Sequence, residues 1–520
     1  MKSARRLSFL FALVASAFAA GFPAVKAEEP AQDLAGYANA IESLTPEQAR
    51  RLAAEFPGAE QAIIVRGSSP SIARLALPLN GLTALDAATA KELAGYGQGL
   101  NEAWLNEAWL VLNGLPAIDA ATAGALANYK GANLVLNGLA ELDAETARAL
   151  ANYKGANLVL NGLTALDAAT ARALANHKGG SLALNGLTTL DAATAKALAE
   201  FRGKWLFLGG LAGLDADTAQ ALAELRCNLV DLSGLLKIDA EVAGALAAYK
   251  GHLVLNGLPT LDAAGATALA RFKGHEFELR GLESLDADAA RALATSKAWK
   301  GRLSKLTTLD APTAEALAEY RGDMLMFEAL DTPDAETARA LAKYKGHLFL
   351  SSEMSLDVEV ARALASFKGP ILVMNLALAH HVNLDPAIVQ AFGAYEGNLG
   401  GFDETAEKFV ATHPLSPENA LGIVSLTNGE LGFLTALDSP DSVDIAKALA
   451  TRKGRLALPN LKKISPKTLT ALITKEDVEI PLTDTLEFIR EPDGSPTEDF
   501  VIPAWLDARQ RARAAAGAGG

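Results

Sequence analysis

From Leu134 to Gly179 the chain writes one short unit twice: "LVLNGLAELDAETARALANYKG" is followed, after two residues, by "LVLNGLTALDAATARALANHKG". A unit this short cannot enclose a core of its own, so the copying limits the possible folds more than composition does. In the copy from Leu158 to Gly179, Leu158, Leu160, Leu163 and Leu166 fall at spacings of two, three and three, which predicts a short strand bending out of its plane. Asn161 and Gly162 are expected to supply the bend, because both tolerate backbone conformations that other residues avoid. Asp167 stands directly before "AATARALANHK", where its carboxylate can accept from the free amides of a first helical turn as an N-cap. Ala171, Leu174 and Ala175 then give the apolar stripe of a helix of roughly three turns, closed by a cation and a glycine at Lys178-Gly179.

Neither piece buries enough alone to offset the entropy of ordering it, so the copies must stack. Stacked strands sit ~4.8 Å apart, whereas packed helices need roughly 8 to 10 Å even with alanine between them. The expected fold is therefore α/β: a curved solenoid of stacked strand-helix repeats, with a parallel sheet on the concave side and helices on the convex side. The capping aspartate recurs at Asp86, Asp119, Asp143, Asp167, Asp191, Asp215, Asp239, Asp262, Asp286, Asp310, Asp334 and Asp357, and from Asp119 onward every step is 23 or 24 residues. The unit "LxLNGLTxLDAxTAxALAxYKG" resembles the divergent bacterial leucine-rich repeats of secreted and surface proteins, including planctomycete-type runs of "LxLxGLTxL" units. The likeness covers residues 75 to 370. Leu139, Leu163 and Leu187 stand where the commonest form of that repeat has its buried asparagine, which removes the residue expected to build an asparagine ladder but leaves the solenoid.

Residues 1–27 read as a signal peptide: Lys2, Arg5 and Arg6 precede an apolar run from Leu7 to Ala20, and Val25-Lys26-Ala27 offers small residues at the cleavage positions. Cleavage would also remove Lys26, taking the formal charge from −14 to −18 with the loss of these four cations. So acidic a chain is a poor partner for nucleic acid, whose binding needs a basic surface to release counterions. The apolar run is short for a membrane span, so no span is expected after cleavage. Cys227 is the only cysteine, which rules out an internal disulfide. Animal cell-surface repeat proteins usually carry cysteine-bonded caps, so the expectation is a bacterial periplasmic, cell-surface or secreted monomer.

The order along the chain is then an N-terminal cap over 28–74, a regular solenoid over 75–397, degenerate repeats over 398–476, a C-terminal cap over 477–506 and a frayed tail over 507–520. Thr45-Pro46-Glu47-Gln48 marks a helix start in the N-terminal cap, and "AIIV" a first strand. The segment "NEAWL" occurs twice in tandem from Asn101 to Leu110, a small duplication that stretches one spacing to 33 residues. A helix is expected from Glu404 to Thr412.

Alternate strand residues should face the concave surface. One such column runs Val111, Val135, Val159, Ala183, Phe207, Asp231, Val254, Glu278, Arg302, Met326, Phe349, and another runs Trp109, Asn133, Asn157, Ser181, Trp205, Leu229, His252, Glu276, Lys300, Met324, His347. Early coils are monotonous, whereas those from Trp205 onward vary at these positions and keep their inward leucines. Variation confined to one face marks a recognition surface, with Trp205 and Phe207 as an aromatic platform and Asp231, His252, Glu278, Arg302, Met326 and Phe349 as further contacts. The bland alternative is drift on a solvated sheet. The aspartate column is explained by capping, and the cation column from Lys130 to Lys368 by helix dipoles. No metal or cofactor is expected: His252 and His347 lie about 19 Å apart at the strand spacing, and the His380-His381 neighbours face different ways. The sequence holds no "GxSxG", "HExxH" or "GxxxxGKS". The reading is a noncatalytic protein that binds another protein or an extracellular glycan on its concave sheet. Its rivals are a glycan-active enzyme, for which only Asp231, Glu278 and Arg302 offer a charged cluster, and a purely structural envelope component.

Overall fold

The computed structural model of the chain describes residues 34–56, 58–66, 69–97, 107–351, 356–374, 385–393, 395, 398–400, 409, 413–491 and 503–517. The expected signal segment, the doubled "NEAWL" as far as Asn106 and the His380-His381 pair lie outside them, and of the helix expected from Glu404 to Thr412 only Phe409 is described. The fold is an α/β leucine-rich-repeat-like solenoid. The chain forms two compact units that divide between Leu282 and Glu283.

The first unit opens with helices α1 (Leu34–Asn39) and α2 (Pro46–Glu55); Thr45 and Gln48 close the expected capping box on α2. Its sheet has ten strands in chain order: β1 (Ala59–Arg66), β2 (Ser69–Pro78), β3 (Ala108–Val111), β4 (Asn133–Val135), β5 (Asn157–Val159), β6 (Ser181–Ala183), β7 (Trp205–Phe207), β8 (Leu229–Asp231), β9 (His252–Val254) and β10 (Glu276–Glu278). β1 pairs antiparallel with β2, and β2 to β10 run parallel. From β4 onward each strand is followed by a short helix, such as Ala144–Leu150 or Ala168–Ala175, capped as expected by the recurring aspartate. These helices span two turns, not three. The chain leaves the helix at Ala151 and turns so that the Tyr153 amide bonds the Leu150 carbonyl.

Three columns of side chains tie coil to coil. The first is an asparagine ladder, made by the turn asparagine instead of the one that leucine replaced: the Asn137 side-chain oxygen accepts from the Asn161 amide at 2.9 Å, Asn161 from Asn185 at 2.9 Å, and Asn185 from Gly209 at 2.8 Å. The second comes from the threonine that stands three residues after most of the caps. Thr170 donates its hydroxyl to the Leu142 carbonyl at 3.3 Å and Thr194 to Leu166 at 3.4 Å, both threonines being buried. The third is a column of rings beneath the helices, in which Tyr129, Tyr153 and His177 stack at centroid distances of 6.2 and 6.0 Å. Here Tyr153 donates to the Gly131 carbonyl at 2.7 Å and Tyr249 to the Cys227 carbonyl at 2.8 Å.

The repeat's two glycines are there for closeness, not for unusual backbone angles. Neither Gly162 nor Gly179 has a positive φ. A Cβ on Gly162 would collide with the Asn137 carbonyl of the coil before, and one on Gly155 with the Tyr153 ring of its own coil. The second constraint predicts which coils can do without the glycine. Where the ring position holds Leu225 the glycine position holds Cys227, and where it holds Ser296 the glycine position holds Ala298. Cys227 is buried there, and that burial pushes its thiol pKa upward.

The second unit has a four-stranded parallel sheet of β11 (Met324–Met326), β12 (His347–Leu350), β13 (Ile371–Met374) and β14 (Asn398–Gly400), and a three-stranded one of β15 (Ala436–Leu437), β16 (Lys463–Ile464) and β17 (Glu487–Phe488). Its first coil makes no strand, and Arg302 pairs with Met326 through a single bridge. Lys305 and Ala329 hold the turn positions that are glycines up to Gly281, yet the threonine and tyrosine bonds between coils continue here, Thr337 donating to the Leu309 carbonyl at 3.5 Å and Tyr344 to the Gly322 carbonyl at 2.6 Å. The tail also differs from expectation: Ala504–Gly517 is a helix. It docks through buried Leu506, through Gln510 accepting from the Thr483 hydroxyl at 2.9 Å, and through Arg509 donating to the Glu476 carbonyl at 2.9 Å.

The ring-glycine coupling is testable by a double-mutant cycle. Gly203→Ala should cost about 2–3 kcal/mol in urea unfolding, and Phe201→Leu in the same chain should recover part of that loss; strict additivity would refute the coupling. His177 supplies a pH test. Burial lowers its pKa from 6.5 to about 4, the Ala151 and Tyr153 carbonyls only softening the effect. Because the folded pKa lies below the unfolded one, stability is full above pH 6.5 and falls by about 1.4 kcal/mol per pH unit toward pH 4. His177→Tyr should remove that loss, raising the melting temperature more at pH 5 than at pH 7.5.

Candidate binding face of the sheet

The parallel register of β7 to β10 lays side chains of one face in two columns. Trp205, Leu229, His252 and Glu276 stand side by side in one, and Phe207, Asp231, Val254 and Glu278 in the other. The column expected to lie open is largely closed. Ala76, Val111, Val135, Val159, Ala183 and Phe207 form a core cluster, with Trp109, Trp205 and Leu229 packed against it as partly buried neighbours. Phe207 is only 1% exposed. Strand spacing of ~4.8 Å lets each small residue fill the gap beside the next, so the predicted aromatic platform reduces to the partly exposed Trp205, with Phe207 beneath it as a core residue. Beside them Asn133, Asn157 and Ser181 form a side-chain ladder, Asn157 donating to Asn133 and Ser181 to Asn157.

Asp231, expected as a polar handle, is buried. Its carboxylate accepts from the Ser233 amide at 2.9 Å. In the preceding coil Gly209 takes the ladder asparagine's place and has no side chain to offer, so Asp231 meets the need from its own strand. The sequence signal for this role was the missing asparagine at Gly209.

Polar chemistry gathers instead at β9 and β10. His252 is in register with Glu276, and its Nε2 lies 4.0 Å from Glu276 Oε1 and 3.4 Å from Glu278 Oε1. Arg280 donates to Glu278 Oε1 at 2.9 Å, and Asn256 donates to Glu278 Oε2 at 3.0 Å. Burial pushes the Glu278 carboxyl upward, but His252, Asn256 and Arg280 outweigh it and hold the group at about 2. Glu276, Asn256 and Arg280 were not among the expected contacts. Their signal was a glutamate one repeat beyond His252 with a second glutamate two residues on. Arg302, Met326 and Phe349 belong to the second unit, where all three are partly exposed on successive coils and Met326 is in register with Phe349.

No family model matches this chain, and no curated protein does. Among solved structures it is similar to leucine-rich-repeat proteins. An internalin from Listeria monocytogenes is 16% identical over 64% of this chain and 83% of its own, with a TM-score of 0.34. The Toll–Spatzle complex of Drosophila gives 14% identity, 63% and 44% coverage and a TM-score of 0.37. The mouse RP105/MD-1 complex gives 14% identity, 72% and 59% coverage and a TM-score of 0.35.

Closure of the valine-phenylalanine column has a measurable consequence. Phe207→Ala should destabilise the protein by about 3–5 kcal/mol in urea unfolding, as a core truncation does; a change within about 0.5 kcal/mol, typical of a surface position, would show the ring to be solvated.

Proposed function

We propose that the chain is an exported bacterial protein, of the planctomycete-type repeat family it resembles, that works without catalysis as a monomeric binding scaffold. Its signal peptide is residues 1–27, its destination the periplasm, cell surface or medium, and its partner another protein or an extracellular glycan. The observation that supports this reading is the distribution of variation: β7 to β10 keep their inward Leu206, Val230, Leu253 and Phe277 fully buried, while Trp205, Leu229, His252 and Glu276 differ from coil to coil and are partly exposed. A solvated sheet would favour repetition of good strand formers; a mixed row of indole, isobutyl, imidazole and carboxylate offers a shaped surface. In the second unit Arg302, Met326 and Phe349 offer a comparable mixed row.

The glycan-active reading draws less support. Asp231 is occupied by a backbone amide, and Glu278, held at about 2, is ionised at neutral pH and cannot serve as a general acid. Among the described residues no helix is long and apolar enough to cross a membrane.

Immobilised protein passed over envelope proteins and an arrayed set of extracellular glycans tests the proposal. Wild type should retain a partner; Trp205→Ser with Leu229→Ser, or Met326→Ser with Phe349→Ser, should weaken retention by about tenfold or more. Arg148→Ser with Lys196→Ser, on exposed helix faces, should not. Equal retention by every variant overturns the surface assignment.

A further inference from the structure

We propose that His252, Glu276 and Glu278 are the ligands of a divalent transition ion of the zinc type, held on the sheet of the first unit. The ligands do not originate on loops. His252 sits on β9 and both glutamates on β10, and the register places His252 directly beside Glu276, with Glu278 two residues further on. Backbone pairing thus fixes all three Cα positions before any ion arrives, the condition for a preorganised site.

The donor geometry is close to that of a bound ion. One imidazole nitrogen and one oxygen from each carboxylate all lie within 4.8 Å of one another. Donors around a four-coordinate zinc, at ~2.0–2.1 Å from the metal, stand about 3.3 Å apart. The 3.4 Å between His252 Nε2 and Glu278 Oε1 already has that length, and the 4.0 Å to Glu276 Oε1 needs only a small side-chain rotation.

An independent observation is the state of the imidazole. His252 Nε2 is shielded from solvent and meets no well-aligned hydrogen bond among the described residues, its contact with Glu278 Oε1 being long at 3.4 Å and that with Glu276 Oε1 longer at 4.0 Å. A buried nitrogen left unbonded is costly, and coordination would relieve that cost. The surroundings also supply what metal ligands need from their neighbours: Asn256 donates to Glu278 Oε2 at 3.0 Å and so orients the carboxylate. Arg280, 2.9 Å from Glu278 Oε1, balances its charge when no ion is present and gives way when one binds.

One imidazole and two carboxylates suit zinc or cobalt; calcium takes six to eight oxygens and is not matched. Three protein ligands leave a fourth position on the open side of the sheet, where a carboxylate or imidazole of a docked partner can complete the shell. That last step rests on the docking reading above; metal binding itself does not.

The test is cobalt uptake by the full chain after chelator treatment and dialysis, followed by visible absorption, with zinc competition in a calorimeter. Wild type should bind one equivalent and develop the absorption of a low-coordinate cobalt site. His252→Ala should abolish that absorption, Glu276→Gln should weaken binding by about tenfold or more, and His347→Ala should change nothing. Glu276→Gln preserves shape at a partly exposed position, so it decides the matter if His252→Ala folds poorly. Absence of one-equivalent uptake by wild type, or uptake of unchanged affinity in Glu276→Gln, overturns the proposal. A protein that binds cobalt but retains no partner would refute the docking reading and leave the metal site standing.

Discussion

How closely one coil can approach the next at its turn governs the rest of the first unit. A Cβ on Gly138, Gly162, Gly186 or Gly210 would strike a carbonyl of the coil before, so those backbones meet at a distance only glycine allows. At that distance the side-chain oxygen of each turn asparagine reaches the next coil's amide, the threonine hydroxyl reaches a leucine carbonyl, and the tyrosine hydroxyl reaches the carbonyl beneath it. Each of these bonds repays the desolvation of a backbone group that a strand of three residues cannot pair for itself.

With spacing fixed at the turns, the sheet face is free to change. Inward leucines carry the core and the ladders carry register, so an indole at Trp205, an imidazole at His252 or a carboxylate at Glu276 enters without disturbing the stack. Freedom is not complete, as Phe207 and Asp231 show. The first is part of a continuous apolar column, and the second is held by the Ser233 amide, which has no ladder asparagine to meet because the coil before has Gly209 there. What remains exposed between them is where recognition chemistry can sit.

Much of the architecture was legible in the sequence because it rests on local rules. The caps from Asp86 to Asp357 follow from an acidic residue before an alanine-rich helix, and the parallel order of strands follows from identical coils. The asparagine ladder was missed because the position that usually carries it holds leucine; nothing local says that the turn asparagine reaches forward one repeat. The helix at Ala504–Gly517 was read as frayed since its anchors, Thr483 and the Glu476 carbonyl, are distant in the chain. At the candidate face, pattern alone assigned residues to a side of the sheet but could not say which are open. Openness depends on the neighbours of neighbours: the valines of successive strands seal one another, whereas Glu276 and Glu278 keep polar company.

The bargain between ring and glycine is struck inside each coil. Tyr153 with Gly155, Phe201 with Gly203, and Leu225 with Cys227 each settle their own fit two residues apart, while bonds to the adjoining coil end mostly on main-chain atoms that every coil possesses. Between coils whose turn asparagines match, a coil of this kind is a self-contained cassette. Unequal recombination among such coils could therefore lengthen or shorten the array by whole coils, and the near-perfect duplicate beginning at Leu134 and Leu158 has the form such growth would leave behind.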